Sequence, residues 1–206
     1  MISYIWDLDG TLLDSYDVIS ESAKEAAFCA GIDDDICKVL TMVKQTSVKV
    51  YMEDVSKRSG KSLEFLFGKY REFTHGKDDL ITLIDGAKEV LEYLKNKGAI
   101  HFVYTHRGPS ATPILKRLGI YDYFIEVVNS EYGFKSKPSG DGVKYLIEKY
   151  HLNLDDTWYV GDRSLDVLCA KDAKCKALLY LPLDSCVKKT GYEDLIISDF
   201  KELQDR

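Results

Sequence analysis

The chain predicts an α/β fold, a doubly wound and mainly parallel sheet with a block of helices inserted after its first strand. Three observations predict it. A short apolar run at the amino end, residues 2–6 with Ser3 interrupting, stops abruptly at Asp7-Leu8-Asp9-Gly10. Over residues 16–79 the apolar positions recur at threes and fours and no strand pattern occurs, which is a helical signature. From Gly86 onward, short β-branched runs alternate with helix-period segments. That alternation requires right-handed crossovers and a sheet covered on both faces.

The first run is short, β-branched and aromatic, as a buried strand should be, and Gly10 allows a sharp turn at its carboxyl end. Val18, Ile19, Ala23, Ala26, Ala27 and Ala30 form one face of a helix that Gly31 closes. Asp33-Asp34-Asp35 offers an N-cap and an acidic first turn to the next helix, reaching residue 40 or 42. Helices are expected over 48–58, closed at Ser59-Gly60, and from 63 to about 73. Residues 80–85 make a second short crossing. The later part carries expected helices over 87–97, 109–118, 141–150 and 165–171, and strands over 99–104, 124–128, 157–160 and 177–181. A last short helix is expected over 199–203. The α/β core is therefore 1–15 with 81–206, and the helical insertion is 16–80.

The bulk properties narrow the class. A chain of 206 residues, 45% hydrophobic and 30% charged, suits a soluble globular protein with a real core. A net charge of −6 disfavours nucleic acid or an anionic membrane as partner, and no apolar stretch approaches a membrane span. Acids at Asp7 and Asp9 interrupt the amino end, so a signal peptide is not expected. The cysteines, 5 in all, form no CxxC pair and are expected as reduced thiols in the cytoplasm. With 4 histidines and no HExxH spacing, a zinc enzyme is not expected.

In a doubly wound sheet, ligands bind beyond the carboxyl ends of the strands. Three expected strands end in polar residues there: Asp7-Leu8-Asp9, Thr105-His106-Arg107, and Gly161-Asp162-Arg163-Ser164-Leu165-Asp166, with Lys135-Ser136-Lys137-Pro138 between the last two. Residues i and i+2 of an extended segment face one way, so Asp7 and Asp9 should share a space. Two carboxylates that close repel by roughly 4 kcal/mol at an effective dielectric near 20, so they need a cation or a shared proton. Asp7, Asp9 and Asp162 can hold a hard divalent cation such as Mg²⁺. A phosphoryl group there would meet the cation, Lys137 and the hydroxyl of Thr105. One aspartate can then attack phosphorus while its neighbour moves protons. For that second role the Asp9 pKa should be raised, with crowding by Asp7 as the cause.

These residues resemble the motifs of the haloacid dehalogenase superfamily of phosphohydrolases, in the branch of phosphoglycolate phosphatase and β-phosphoglucomutase. The DxDGT motif and its sequel stand here as Asp7-Leu8-Asp9-Gly10-Thr11-Leu12-Leu13-Asp14-Ser15, the strand-ending Thr as Thr105, the lysine motif as Lys137-Pro138, and GDxxxD as Gly161 to Asp166. The resemblance implies a Rossmann-like core with an inserted helical cap domain. It implies Asp7 as nucleophile forming an aspartyl-phosphate and Asp9 as acid and then base. Asp7, the main-chain carbonyl of Asp9, and Asp162 would bind Mg²⁺, with Asp166 in support. Thr105 and Lys137 would hold the phosphoryl group. His106 and Arg107 depart from the branch's usual Asn and Lys, and are candidates for touching substrate, as are Lys44 and Lys49 in the insertion. Asp14 is the branch's hinge-side aspartate, structural rather than catalytic.

The implied activity is Mg²⁺-dependent hydrolysis of a small phosphorylated metabolite. A sugar phosphomutase is the alternative on the same scaffold, weakened by the absence of an Arg-Arg pattern in the insertion. A phospho-receiver domain also uses strand-end aspartates, a Thr and a Lys around Mg²⁺, but carries its phospho-acceptor on a later strand. Oligomeric state is not legible in the sequence.

Overall fold

A computed structural model describes residues 1–204. The chain forms two compact units, Ser15–Thr82 and the remainder, Met1–Asp14 with the chain from Leu83 onward.

The larger unit is built on a six-stranded sheet. Its strands are β1 (Ser3–Trp6), β2 (Ile100–Tyr104), β3 (Phe124–Val128), β4 (Thr157–Gly161), β5 (Lys176–Tyr180) and β6 (Leu195–Ile197). They lie in the order β3-β2-β1-β4-β5-β6, and every pairing is parallel. Strand β1 is central: Trp6 aligns with Val103 on one side and Val160 on the other. Covered on both faces, it is buried at every residue, which is why its sequence is a continuous apolar run rather than an alternation. The chain order reverses between β1 and β4, and such a switch point leaves a crevice at the strands' carboxyl ends.

Helices α5 (Ala87–Asn96), α6 (Ala111–Arg117), α7 (Asp141–Tyr150) and α8 (Ser164–Asp172) belong to the same unit. Part of the core lies between α7, α8 and the sheet: Val143 and Leu146 of α7 and Val167 and Ala170 of α8 pack with Ile5, Phe102, Tyr159 and Leu179. The helix expected from 109 starts two residues later, because Gly108 O accepts from Ala111 N (3.1 Å) and makes Pro109-Ser110 a turn. The expected terminal helix is a single 3₁₀ turn, Phe200–Leu203, capped by Asp199. Strand β6 is absent from the sequence reading: three residues long, with only Ile197 fully buried, it lacks both length and alternation.

The unit Ser15–Thr82 is helical: α1 (Tyr16–Cys29), α2 (Ile36–Gln45), α3 (Val48–Ser59) and α4 (Leu63–Thr74). It has its own core, in which Ile19, Ala23 and Ala27 of α1 meet Val39, Val43, Met52, Val55 and Leu66. Side-chain caps start three of these helices, from Asp35, Ser47 and Ser62. Within the acidic triplet, Asp35 is the cap, whereas Asp34 is buried and accepts from Arg58, Lys38 and Tyr51. A buried carboxylate needs such partners, and here it ties α2 to α3.

Candidate active site

Strand β1 keeps its ladder as far as Asp7, whose N–H donates to Val160 O (2.8 Å). The chain then folds back: Leu8 O accepts from Thr11, Leu12 and Leu13 N–H at 3.1, 3.0 and 2.8 Å. Gly10 makes the turn possible with φ of 82°, a conformation that costs glycine least. The fold-back buries Asp7 and Thr11 and leaves Asp9 half-buried.

At the end of β4 the chain passes through Gly161 and Asp162 into α8. A Cβ on Gly161 would lie 2.4 Å from Asp166 Cβ and Cγ, so only glycine lets Asp166 come in against the strand. Asp166 uses both oxygens. Oδ2 accepts from Arg163 N–H at the start of α8 (3.1 Å), and Oδ1 accepts from Lys137 Nζ (2.8 Å). Lys137 Nζ is also 2.8 Å from Asp7 Oδ1. Its buried ammonium lies over the rings of Tyr104 (5.4 Å) and Tyr159 (5.2 Å), where ring faces add favourable electrostatics. Arg163 Nη2 is 3.6 Å from Asp7 Oδ2. Thr11 Oγ1 donates to Asp162 Oδ1 at 3.4 Å.

Oxygens of Asp7, Asp162 and Asp166, all buried, lie within 4.8 Å of one another. Burial pushes the Asp7 carboxyl above its usual range, against the pull of Lys137. Burial acts the same way on Asp166, but Lys137 and Arg163 outweigh it and hold that carboxyl low. For Lys137, burial opposes the charge, yet Asp166 and Asp7 keep its ammonium above the usual lysine range. Among the described residues, Asp7 Oδ2 has no hydrogen-bond partner. Asp7 and Asp162, two buried carboxylates this close with Asp166 beside them, suit a hard divalent cation.

Thr105 is buried at the end of β2, and its N–H donates to Val128 O (3.0 Å). Its Oγ1 accepts from Arg107 N–H (3.1 Å), which leaves the hydroxyl hydrogen available to an incoming oxygen. Beside it a cavity of about 200 Å³ is lined by His106, Asn129, Ser130 and Ser136 among others.

His106 is committed within the protein: its Nε2 accepts from Lys137 N–H (2.8 Å) and so anchors the lysine loop. That bond needs a neutral ring, in keeping with a pKa held well below the histidine range by desolvation and the Lys137 and Arg163 charges. The Arg107 guanidinium spans the Asp9 carboxylate, with Nε 3.1 Å from Oδ1 and 3.3 Å from Oδ2, and Nη2 also on Oδ1. The sequence suggests Asp7 as the neighbour crowding Asp9. Instead the turn at Gly10 takes Asp9 off the strand line and onto Arg107, and its carboxyl stands outside the group formed by Asp7, Asp162 and Asp166.

Lys44 and Lys49 belong to the helical unit. Lys44 Nζ lies 4.8 Å from the centre of the Tyr16 ring, and Lys49 pairs with Glu53 at 3.9 Å. Sequence reasoning misses Arg163, although it stands inside the GDxxxD segment, and misses Tyr104 and Tyr159 as the walls of the Lys137 pocket. Arg163 could have been found from that position. The tyrosines carry no signal beyond their place in strands.

A parallel α/β sheet with buried carboxylates and one ammonium at its switch point defines the class: a Rossmann-like domain with an acidic, cation-ready site. The chain belongs to the haloacid dehalogenase-like hydrolases, whose family model matches residues 4–180. It is 26% identical over 185 residues to a phosphoglycolate phosphatase of Vibrio vulnificus, covering 82% of this chain and 79% of that protein. It is also 26% identical over 181 residues to the pyrophosphatase PpaX of Bacillus velezensis, covering 84% and 79%. A solved hydrolase of Streptococcus pneumoniae superposes with a TM-score of 0.64 at 28% identity, covering 99% of this chain and 98% of that one. A structure described as a predicted phosphoglycolate phosphatase of Haemophilus somnus reaches 0.85 at 22% identity, covering 100% and 97%, a likeness of fold.

Proposed function

We propose that this chain is a Mg²⁺-dependent phosphatase of small-molecule phosphate monoesters, working through an aspartyl-phosphate on Asp7. The observation that carries this reading is the Asp7 carboxylate: Oδ1 is fixed by Lys137, while Oδ2 is buried and uncommitted to any hydrogen bond among the described residues. A buried carboxylate oxygen stripped of solvent and held by its twin is a prepared nucleophile.

Asp7 Oδ2 attacks phosphorus as the bond from phosphorus to the leaving oxygen breaks, and Asp9 gives that oxygen its proton. Water then attacks the aspartyl-phosphate, Asp9 takes the water's proton, and the bond from phosphorus to Asp7 breaks. Thr105 Oγ1 donates to a phosphoryl oxygen, and Lys137 holds the loaded site in charge balance. Mg²⁺, held by Asp7, Asp162 and the main-chain carbonyl of Asp9, would supply positive charge to the phosphoryl oxygens. Asp166, with both oxygens engaged, supports Lys137 rather than the metal. The helical unit is assigned the role of cap from its place in the chain. The relatives named for phosphoglycolate and pyrophosphate hydrolysis support a small phosphorylated substrate. The cytoplasm is the assigned compartment, read from a cysteine set that contains no CxxC pair. Among the described residues no helix is long and apolar enough to cross a membrane.

The test is turnover of p-nitrophenyl phosphate and a phosphate-ester panel with Mg²⁺ and then with EDTA. Multiple turnovers lost in EDTA and in Asp7→Asn are expected. Stoichiometric labelling without turnover would indicate a phospho-receiver, and isomerised sugar phosphate a mutase.

A further inference from the structure

The contact between Arg107 and Asp9 does two things at once. It occupies the carboxylate that must reach the leaving oxygen, and it neutralises a guanidinium whose side chain is only 11% exposed. The backbone that carries Arg107 is pinned: its N–H donates to Thr105 Oγ1 (3.1 Å), and its O accepts from Ser130 N–H (3.1 Å). Only the side chain can swing. A planar fork with five donors exchanges one carboxylate-like partner for another at little cost, because its charge stays paired throughout. Leaving Asp9 without a new anion would give up a forked, charged contact in a poorly solvated place.

We propose that Arg107 is a specificity-determining residue that exchanges Asp9 for a second anionic group on the substrate, so that the enzyme selects phosphate compounds carrying a further carboxylate or phosphoryl group. The proposal rests on the phosphatase reading given above. In the free protein the guanidinium and a leaving oxygen compete for the Asp9 carboxylate. A substrate with a second anion draws the fork away and opens Asp9 to the leaving oxygen. A neutral ester leaves the fork where it is. Binding energy from a part of the substrate that does not react is thereby turned into positioning of the acid.

The experiment compares 2-phosphoglycolate, inorganic pyrophosphate and the neutral analogue 2-hydroxyethyl phosphate on the wild type, Arg107→Met and Arg107→Lys. The wild type should prefer one of the two-anion substrates over the neutral ester by on the order of 10- to 100-fold in kcat/KM, the range spanned by a charge-assisted hydrogen-bonded pair. Whichever of the two is preferred identifies the second group as carboxylate or phosphoryl. Arg107→Met should erase the preference in a split manner, raising KM for the two-anion substrate and raising kcat for the neutral ester, whose acid is now open. Arg107→Lys, which keeps the charge but loses the fork, should fall between. Equal kcat/KM on all three substrates in the wild type overturns the proposal, and so does an equal fall on all three in Arg107→Met, the signature of a structural ion pair. Absence of turnover on every ester, p-nitrophenyl phosphate included, overturns the phosphatase reading together with this one.

Discussion

Lys137 is the cation nearest to both buried carboxylates, 2.8 Å from Asp7 and from Asp166, with Arg163 farther off at 3.6 Å and 3.9 Å, so replacing it with methionine tests what that charge is worth. Oxygens of Asp7 and Asp166 lie within 4.8 Å of each other, and at that separation two unit charges repel by about 3.5 kcal/mol at an effective dielectric near 20. Methionine fills most of the volume between the Tyr104 and Tyr159 rings, so the packing loss is small beside the electrostatic one. The Lys137→Met protein should therefore lose about 3–4 kcal/mol at pH 7 in EDTA, as expected when one partner of a buried ion group is removed. Urea unfolding followed by tryptophan fluorescence reads the relevant unit directly, since the chain's 2 tryptophans, Trp6 and Trp158, lie in β1 and β4. The double variant Lys137→Met/Asp166→Asn removes one of the repelling charges while the amide oxygen can still accept from Arg163 N–H, and it should recover more than half of the loss. A loss below about 1 kcal/mol in the single variant, or a double variant no more stable than the single one, would refute the assignment of Lys137 as the charge that sustains the site.

Two further outcomes follow from the same coordinates. His101 is buried with Nδ1 accepting from Trp6 Nε1–H (3.0 Å), and burial brings its pKa down to about 4. The unfolded chain, with histidine near 6.5, takes the proton first, so stability is full above about pH 6.5 and falls by about 3 kcal/mol as pH drops to about 4. The difference in urea midpoint between wild type and His101→Gln should shrink over that range, and a pH-independent difference would count against it. Gly161→Ala puts a methyl group 2.4 Å from Asp166 atoms, and the displaced carboxylate takes Lys137 with it. Activity should fall by roughly 100-fold, the scale of an ångström-level misplacement, at a stability cost of about 1–3 kcal/mol. Wild-type kcat/KM in that variant would show that Asp166 does not position Lys137.

The sequence by itself determined the order of strands and helices in the larger unit, because a parallel sheet covered on both faces demands apolar runs and crossover helices, which one chain displays plainly. The weak element, β6, escaped because a three-residue strand carries no period. The residues at the strand ends were legible for a related reason: Asp7, Thr105 and Asp162 each interrupt or close a run that physics would otherwise keep apolar. What the sequence could not decide was who faces whom. Lys137 lies 29 residues from Asp166 and Arg107 lies 98 from Asp9, and only the sheet order that sets β2 and β4 on either side of β1 brings them together. Reading along the chain, Asp7 and Asp9 look like a pair. In the folded protein each is claimed by a different cation, since the turn after β1 ends the alternation of side chains on which that pairing depends. His106 reads along the chain as a substrate contact, and in the fold its Nε2 is the acceptor that holds the Lys137 backbone. Hydrogen-bond satisfaction of a loop is a tertiary property, and no pattern of residue types announces it.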